Sequence, residues 1–358
     1  MLILHTIRAK WSDHTWVNVY KLSDIRDIHL EISSLCNARC PLCPRNFHGY
    51  PYNDGYIERN LTLDDVKKIF KPTFLNHIDT IGINGNFGDF VMNPESIDIV
   101  RYFKEYNIDI GISTNGSART KNFWQELAKL DCLVMFCLDG LEDTHTIYRQ
   151  NTVFKTIINN AKTFIKAGGR AVWKMIRFDH NKHQIAECQK LSKELGFSDF
   201  EIVDEGRNTG VAVDKKGNVV HFIGTPKLIS DVLLEKKLMS FNQLLEKKKN
   251  DTISLKDINP TIKKNIKCKV KKQRSLFVAS TGEVYPCCWT GHSPRTFGHG
   301  QYYEVVNAQL KDIITPNNAL ERPLEECIKW FNDVEQSWNI DKFEDGRLVV
   351  CNDVCGEC

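Results

Sequence analysis

The sequence predicts an α/β protein: a partial (β/α)6 TIM-like barrel followed by a small, C-terminal, Cys-rich α+β domain. Three observations carry that reading. Strand-like and helix-like segments alternate from about residue 27 to 206. A cysteine cluster and glycine-rich turns fall together at the ends of the early strands. Seven of the thirteen cysteines lie in the stretch 268–358.

The elements follow in order. IHLEISSL reads as the first strand and ends at Cys36. A helix follows through LTLDDVKKIF, where Thr62 with Asp65 three residues on makes a capping-box start. Then come the strand DTIGING, a helix through PESIDIVRYFKEY and the strand IDIGIST. The helix NFWQELAKL, the strand CLVMFCLD, the helix FKTIINNAKTFIKAG and the strand RAVWKMIRF continue the rhythm. It closes with a helix through HQIAECQKLSKEL and the strand DFEIVDEG. Alternating units of this kind build parallel sheets with right-handed crossovers. Six units are too few for the usual eight-stranded closed barrel, so a partly open one is expected. Its working residues should sit at the C-terminal strand ends.

Those ends carry CNARCPLC after the first strand, GNFGD after the second, STNGS after the third and LDG after the fourth, with Tyr148 and Arg149 downstream. One glycine turn is weak evidence, since glycine ends strands for conformational reasons alone. Several on the rim that carries the thiols count for more. The predicted divisions are an N-terminal extension (1–25), the barrel (26–206), a basic linker (207–267) and an auxiliary domain (268–358). In the last, SLFVASTGEVYPCCW reads as a β-hairpin turning at Gly282, LEECIKWFNDVEQSW as a helix, and the chain stops at CNDVCGEC.

Composition narrows the function. The 358 residues are 42% hydrophobic and 26% charged, which is ordinary globular content. No apolar run of about 18 residues suggests a membrane span. MLILHTIRAKW lacks the basic lead and small-residue cleavage site of a signal peptide. Thirteen cysteines in so long a chain point to metal or redox chemistry in a cytoplasmic protein rather than to a secreted disulfide scaffold. From Lys247 to Arg274 eleven Lys or Arg stand against two acids, which reads first as solvated surface. An acidic partner is the alternative; few aromatics interleave, so nucleic acid is not expected.

The spacing Cys36-x3-Cys40-x2-Cys43 lets one loop wrap three thiolates around a metal centre. Four-iron clusters normally take four thiolates. Three would leave one iron open, and an open position on a catalytic metal is where a ligand binds. A zinc site or three buried thiols remain alternatives on spacing alone.

A CxxxCxxC motif after the first strand of a partial β/α barrel resembles the radical S-adenosylmethionine (SAM) enzymes, over roughly residues 26 to 206. The resemblance implies a [4Fe-4S] cluster on Cys36, Cys40 and Cys43, with SAM chelating the open iron. It further implies reductive cleavage of SAM to a 5′-deoxyadenosyl radical that abstracts hydrogen from a substrate. Phe87-Gly88-Asp89 stands where the family usually has Gly-Gly-Glu for the methionine amino group, so the backbone at Gly88 and the shorter carboxylate of Asp89 carry that role. Ser113 and Asn115 stand near the ribose or carboxylate, Arg149 is placed to pair with the carboxylate, and Leu42 takes the place of an aromatic against the adenine. Cys132, Cys137 and Cys188 read as barrel filling.

In the tail, Cys268-x13-Gly282-x4-Cys287 resembles the opening of SPASM and twitch extensions. That likeness implies one auxiliary [4Fe-4S] cluster on Cys268, Cys287, Cys355 and Cys358. The further Cx2Cx5Cx3C segment of SPASM domains is missing, and Cys288, Cys327 and Cys351 are left over. A structural zinc knot is the alternative. The implied activity is peptide or protein modification, with an electron donor such as flavodoxin or ferredoxin. A small-molecule substrate, or a non-catalytic iron–sulfur or zinc protein, are the competing readings. No general acid or base stands out; Asp204, Glu205 and Arg207 are candidates by position alone.

Overall fold

The computed structural model describes residues 21–47, 49–51, 57–204, 210–216, 218–223, 261–263, 265–292, 301–311, 313–314 and 316–357. Six strands alternate with helices as the periodicity requires: β1 (Asp27–Leu30), β2 (Thr80–Ile83), β3 (Asp109–Thr114), β4 (Leu133–Cys137), β5 (Arg170–Arg177) and β6 (Asp199–Asp204). All pair in parallel in chain order. Two further strands, β7 (Ser275–Val278) and β8 (Val284–Tyr285), extend the same sheet, giving the order β8-β7-β1-β2-β3-β4-β5-β6. β7 runs parallel to β1, and the β7–β8 hairpin turns at Gly282, whose φ of 95° favours glycine. The cysteine-rich region is therefore stitched into the barrel sheet, where the sequence suggested a separate unit.

In-register neighbours share a face of the sheet, so the pattern fixes what each strand buries. Thr114, Phe136, Trp173 and Phe200 form one row. It faces the helices, where Phe136 and Trp173 meet Trp124, Phe164 and Phe154 from the helices Lys121–Ala128 and Phe154–Lys166. Burying one such aromatic contributes about 1.5–3 kcal/mol. The opposite face lines the bore. Its floor is the apolar group Leu133, Met135 and Val172.

Local signals behave as the chemistry predicts. Thr62 and Asp65 close a full capping box on the helix Leu63–Ile69. The expected long helix LEECIKWFNDVEQSW is broken into Leu324–Cys327, Phe331–Gln336 and a 3-10 turn, Ser337–Asn339. Cys327, Ile328, Trp330 and Phe331 are all buried around the first break. Elements without an expectation include the short helix Glu142–Tyr148, the helix Gln301–Lys311, and an antiparallel hairpin, Gly210–Val213 with Val219–Ile223, inside the expected linker. Among the described residues, no helix is long and apolar enough to cross a membrane.

Candidate active site and metal-binding cysteines

The chain leaves β1 and turns tightly through the three-cysteine loop. The Cys43 N–H donates to the Cys40 carbonyl (3.0 Å) and the Asn46 N–H to the Cys43 carbonyl (2.9 Å). Arg45 Nη1 donates to the Cys36 carbonyl at 2.8 Å, and the Arg39 N–H to the Gln150 carbonyl at 2.8 Å. These bonds fix the backbone and leave the sulfurs for other use. The loop packs on Leu42, Tyr148, Ile176 and Phe178, and on Ala212 and Ile223 of the unexpected hairpin.

A strand end and a helix end aim donors at the sulfurs. Asn115 Nδ2 donates to Cys36 Sγ (3.7 Å) and to Asn37 Oδ1 (2.9 Å). Arg149 Nη1 lies 3.8 Å from Cys40 Sγ, while its Nε pairs with buried Asp139 at 2.6 Å. Burial works against the Arg149 charge, yet Asp139 and the nearby thiols outweigh it and hold the guanidinium cationic. Burial pushes the Cys36 thiol up, aided by Asp89, and pushes Cys40 up to about 12 despite Arg149. Bare thiolates are thus unfavourable here, whereas a bound metal would deprotonate them outright. Among the described residues no three His, Cys, Asp or Glu side chains converge on one ion-sized point. A cluster needs no such convergence, because each thiolate meets a different iron. The donor set fits one.

Beside this loop, Gly88 presses against β1's continuation. A Cβ there would lie 1.7 Å from the Ser33 carbonyl oxygen, so only glycine fits. Asp89 does not stand free as a shorter Glu would. Its Oδ1 accepts from the Val91 N–H (3.1 Å) and Thr114 Oγ1 (2.6 Å), and its Oδ2 from the Asn115 N–H (2.7 Å). Being one methylene short, it braces the third strand's turn, with burial raising its pKa. Ser113 lies on the bore face, its Oγ 3.3 Å from Cys137 Sγ.

Several working residues went unread in the sequence. Glu31, fully buried, accepts the Phe87 N–H at 2.7 Å through Oε1, and Ser280 Oγ at 3.2 Å through Oε2. Cys137, Lys174 and Glu201 share a row on the bore face, between the apolar floor and the cysteine loop. Lys174 Nζ and Glu201 Oε1 are 3.5 Å apart, with the side chains 12% and 17% exposed. Neither carboxylate oxygen of Glu201 has a hydrogen-bond partner. A charge-assisted bond would close to about 2.7–2.9 Å, so the pair keeps capacity for a third group. The available signal was a lysine in the middle of RAVWKMIRF, with two apolar residues or more on either side. Asp204 is exposed and paired with Arg177 at 2.5 Å, which suits a solvated edge; Glu205 and Arg207 lie outside the described residues.

The tail forms a second site. Antiparallel pairing of Asn265–Ile266 with Gly356–Glu357 brings Cys268 beside Cys355. Cys268, Cys287, Cys351 and Cys355 line one enclosed cavity with Phe331, Val334 and Trp338. Cys351 and Cys355 sit one turn apart on the helix Val349–Cys355. Cys351, left over in the sequence reading, thus joins the three expected cysteines that are described; Cys358 lies outside the described residues. The bond from Cys268, with lesser help from Lys269, lowers the Cys355 thiol to about 6, while Cys268 moves up. Cys132, Cys188 and Cys327 are fully enclosed in the main core.

Comparisons with known proteins agree with this geometry. Residues 30–191 match the Radical SAM superfamily. A Pyrococcus furiosus protein described as a tungsten-containing aldehyde ferredoxin oxidoreductase cofactor-modifying protein is 31% identical over 124 residues. That match spans 34% of this chain and only 32% of the relative. The fold is similar to Streptococcus suis SuiB bound to S-adenosylmethionine, at 15% identity and a TM-score of 0.54, covering 91% of this chain and 76% of SuiB. It is equally similar to anSMEcpe with bound AdoMet, at 16% identity and a TM-score of 0.54, covering 93% and 86%. The three-thiol loop on a partial barrel falls within residues 30–191, the stretch that matches the Radical SAM superfamily.

Proposed function

We propose that the protein is a radical enzyme that uses SAM and a [4Fe-4S] cluster on Cys36, Cys40 and Cys43 to take a hydrogen atom from a peptide or protein substrate. The observation that supports this reading most is the loop itself: three thiols on the strand-end rim, Cys40 buried and Cys36 and Cys43 half-buried, with Asn115 and Arg149 directed at two of the sulfurs. When bound, a reduced cluster passes one electron to the SAM sulfonium and so supplies a 5′-deoxyadenosyl radical.

The chain's own residues then orient and shield. Gly88 lets the rim loop lie against β1, and Ser113 and Asn115 edge the space where the sugar and carboxylate would rest. Leu42, Tyr148, Ile176 and Phe178 form an apolar wall that excludes water from the reacting centre. Arg149, only partly engaged by Asp139, is placed for the cofactor carboxylate as well as Cys40. Lys174 and Glu201 supply the polar groups of the bore. Opposite charges side by side suit a neutral group that both accepts and donates, as a peptide amide does.

A second cluster on Cys268, Cys287, Cys351 and Cys355 is supported by their shared cavity. A flavodoxin or ferredoxin would deliver the electron. The peptide substrate leans on the fold neighbours, since SuiB has been solved with the precursor peptide SuiA and anSMEcpe with the Cp18Cys peptide. The Pyrococcus relative's description as cofactor-modifying favours a second reading, a small-molecule substrate.

Anaerobic reconstitution with iron, sulfide, SAM and dithionite tests the core claim. 5′-Deoxyadenosine should form, and Cys40→Ala should abolish it. Zinc in place of iron, with no product, would refute the enzyme reading.

A further inference from the structure

We propose that residues 280–292 of the C-terminal region clamp the rim loop 85–89 in the shape that receives SAM. Ser280, the Cys288 carbonyl and His292 form one jaw; Glu31, Asn86 and Phe87 form the other. The inference rests on the reading above that this loop holds the cofactor's amino group.

Four separate contacts carry it. Glu31 Oε1 accepts the N–H groups of Phe87 (2.7 Å) and Gly88 (3.4 Å), which sets the loop's backbone. Its other oxygen accepts from the Ser280 N–H (3.4 Å) and Oγ (3.2 Å), 249 residues away. Asn86 Nδ2 donates to the Cys288 carbonyl at 2.9 Å. The Phe87 ring, 2% exposed, stacks on His292 with centroids 5.5 Å apart and planes at 17°.

The last contact accounts for the departure from Gly-Gly-Glu. A glycine at position 87 has no ring to reach His292, so this chain exchanges a free turn for one anchored from outside the barrel. Anchoring has a binding consequence: a loop already held in place loses less freedom when a ligand arrives. The cysteine-rich region thereby contributes to cofactor affinity.

The test is equilibrium dialysis of SAM against anaerobic, cluster-loaded full-length protein, with iron content and melting temperature measured alongside. SAM's perturbation of the cluster's electron paramagnetic resonance gives a second readout. His292→Ala and Asn86→Ala should each weaken SAM binding about tenfold, the loss of one ring stack or one part-buried hydrogen bond. His292→Phe, which keeps the stack, should stay within about twofold of the wild type. Wild-type binding retained in both His292→Ala and Asn86→Ala, at equal iron content, would overturn the clamp alone. No saturable SAM binding by the wild type would instead overturn the reading on which it rests.

Discussion

The two cysteine sites are built in opposite ways. In the loop, Cys36, Cys40 and Cys43 belong to one tight turn held by its own backbone bonds, with further bonds from Asn115, Ser117, Arg149, Gln150 and Asn151 of the barrel. In the tail, Cys268 precedes a short helix, Cys287 follows the β7–β8 hairpin, and Cys351 and Cys355 ride the final helix. That site exists only once three distant segments have packed around Phe331, Val334 and Trp338. A local site stays a site in a loosened protein; a composite one does not. The first suits chemistry that needs an open corner, the second a centre that also holds its surroundings together.

The largest expected effect separates the two by function. Cys40→Ala should eliminate 5′-deoxyadenosine formation while keeping about half the iron, four of eight atoms. Cys287→Ala should do the reverse, losing the tail's iron yet still cleaving SAM when SAM is saturating. Loss of cleavage in both, with full loop iron in Cys287→Ala, would break the division. Next comes the tail's fourth ligand: Cys351→Ala should empty the tail site and Cys358→Ala should leave its iron unchanged, as read by metal analysis. The opposite result would restore the ligand set that the CxxC spacing implies.

A third, smaller effect tests how the loop is held. Asn115→Ala removes the donors to Cys36 and Asn37, and should shift the loop cluster's midpoint potential while leaving the tail cluster's unchanged. Identical potentials for both centres would reduce Asn115 to packing. The smallest effect is a reactivity contrast in metal-free protein. Cys355, lowered to about 6, is thiolate above that pH and should react first with iodoacetamide near neutrality. Its rate should fall as pH drops through about 6. Cys40, raised to about 12, should resist until strongly alkaline solution. Equal labelling at pH 7, mapped by peptide mass, would erase the contrast.

The same local-versus-distant divide explains what the sequence revealed. The six strands and the Cys36–Cys43 loop are short-range patterns, and the structure repeats them with small boundary changes. IHLEISSL, for instance, keeps ladder pairing only over Asp27–Leu30 before bending toward the cysteines. The hairpin 210–223 also carries a short-range signal: Asp214 Oδ1 accepts from the Lys216 and Asn218 N–H groups, a turn flanked by apolar runs. Glu31, Lys174 and Glu201 were hidden. Lys174 and Glu201 are polar residues within strands and Glu31 lies just past β1, and only the register across several strands shows that each faces the bore or a loop distant in sequence.

The pairing of β7 with β1 constrains how the protein can be made. As the chain leaves the ribosome, Asp27–Leu30 gains its β2 neighbour early, but its other edge waits for Ser275–Val278. Until then the nascent barrel carries a bare strand beside its cysteine loop, an invitation to wrong partners. A nascent chain stalled at residue 260 should therefore bind chaperones and aggregate when released. One released after residue 292 should not.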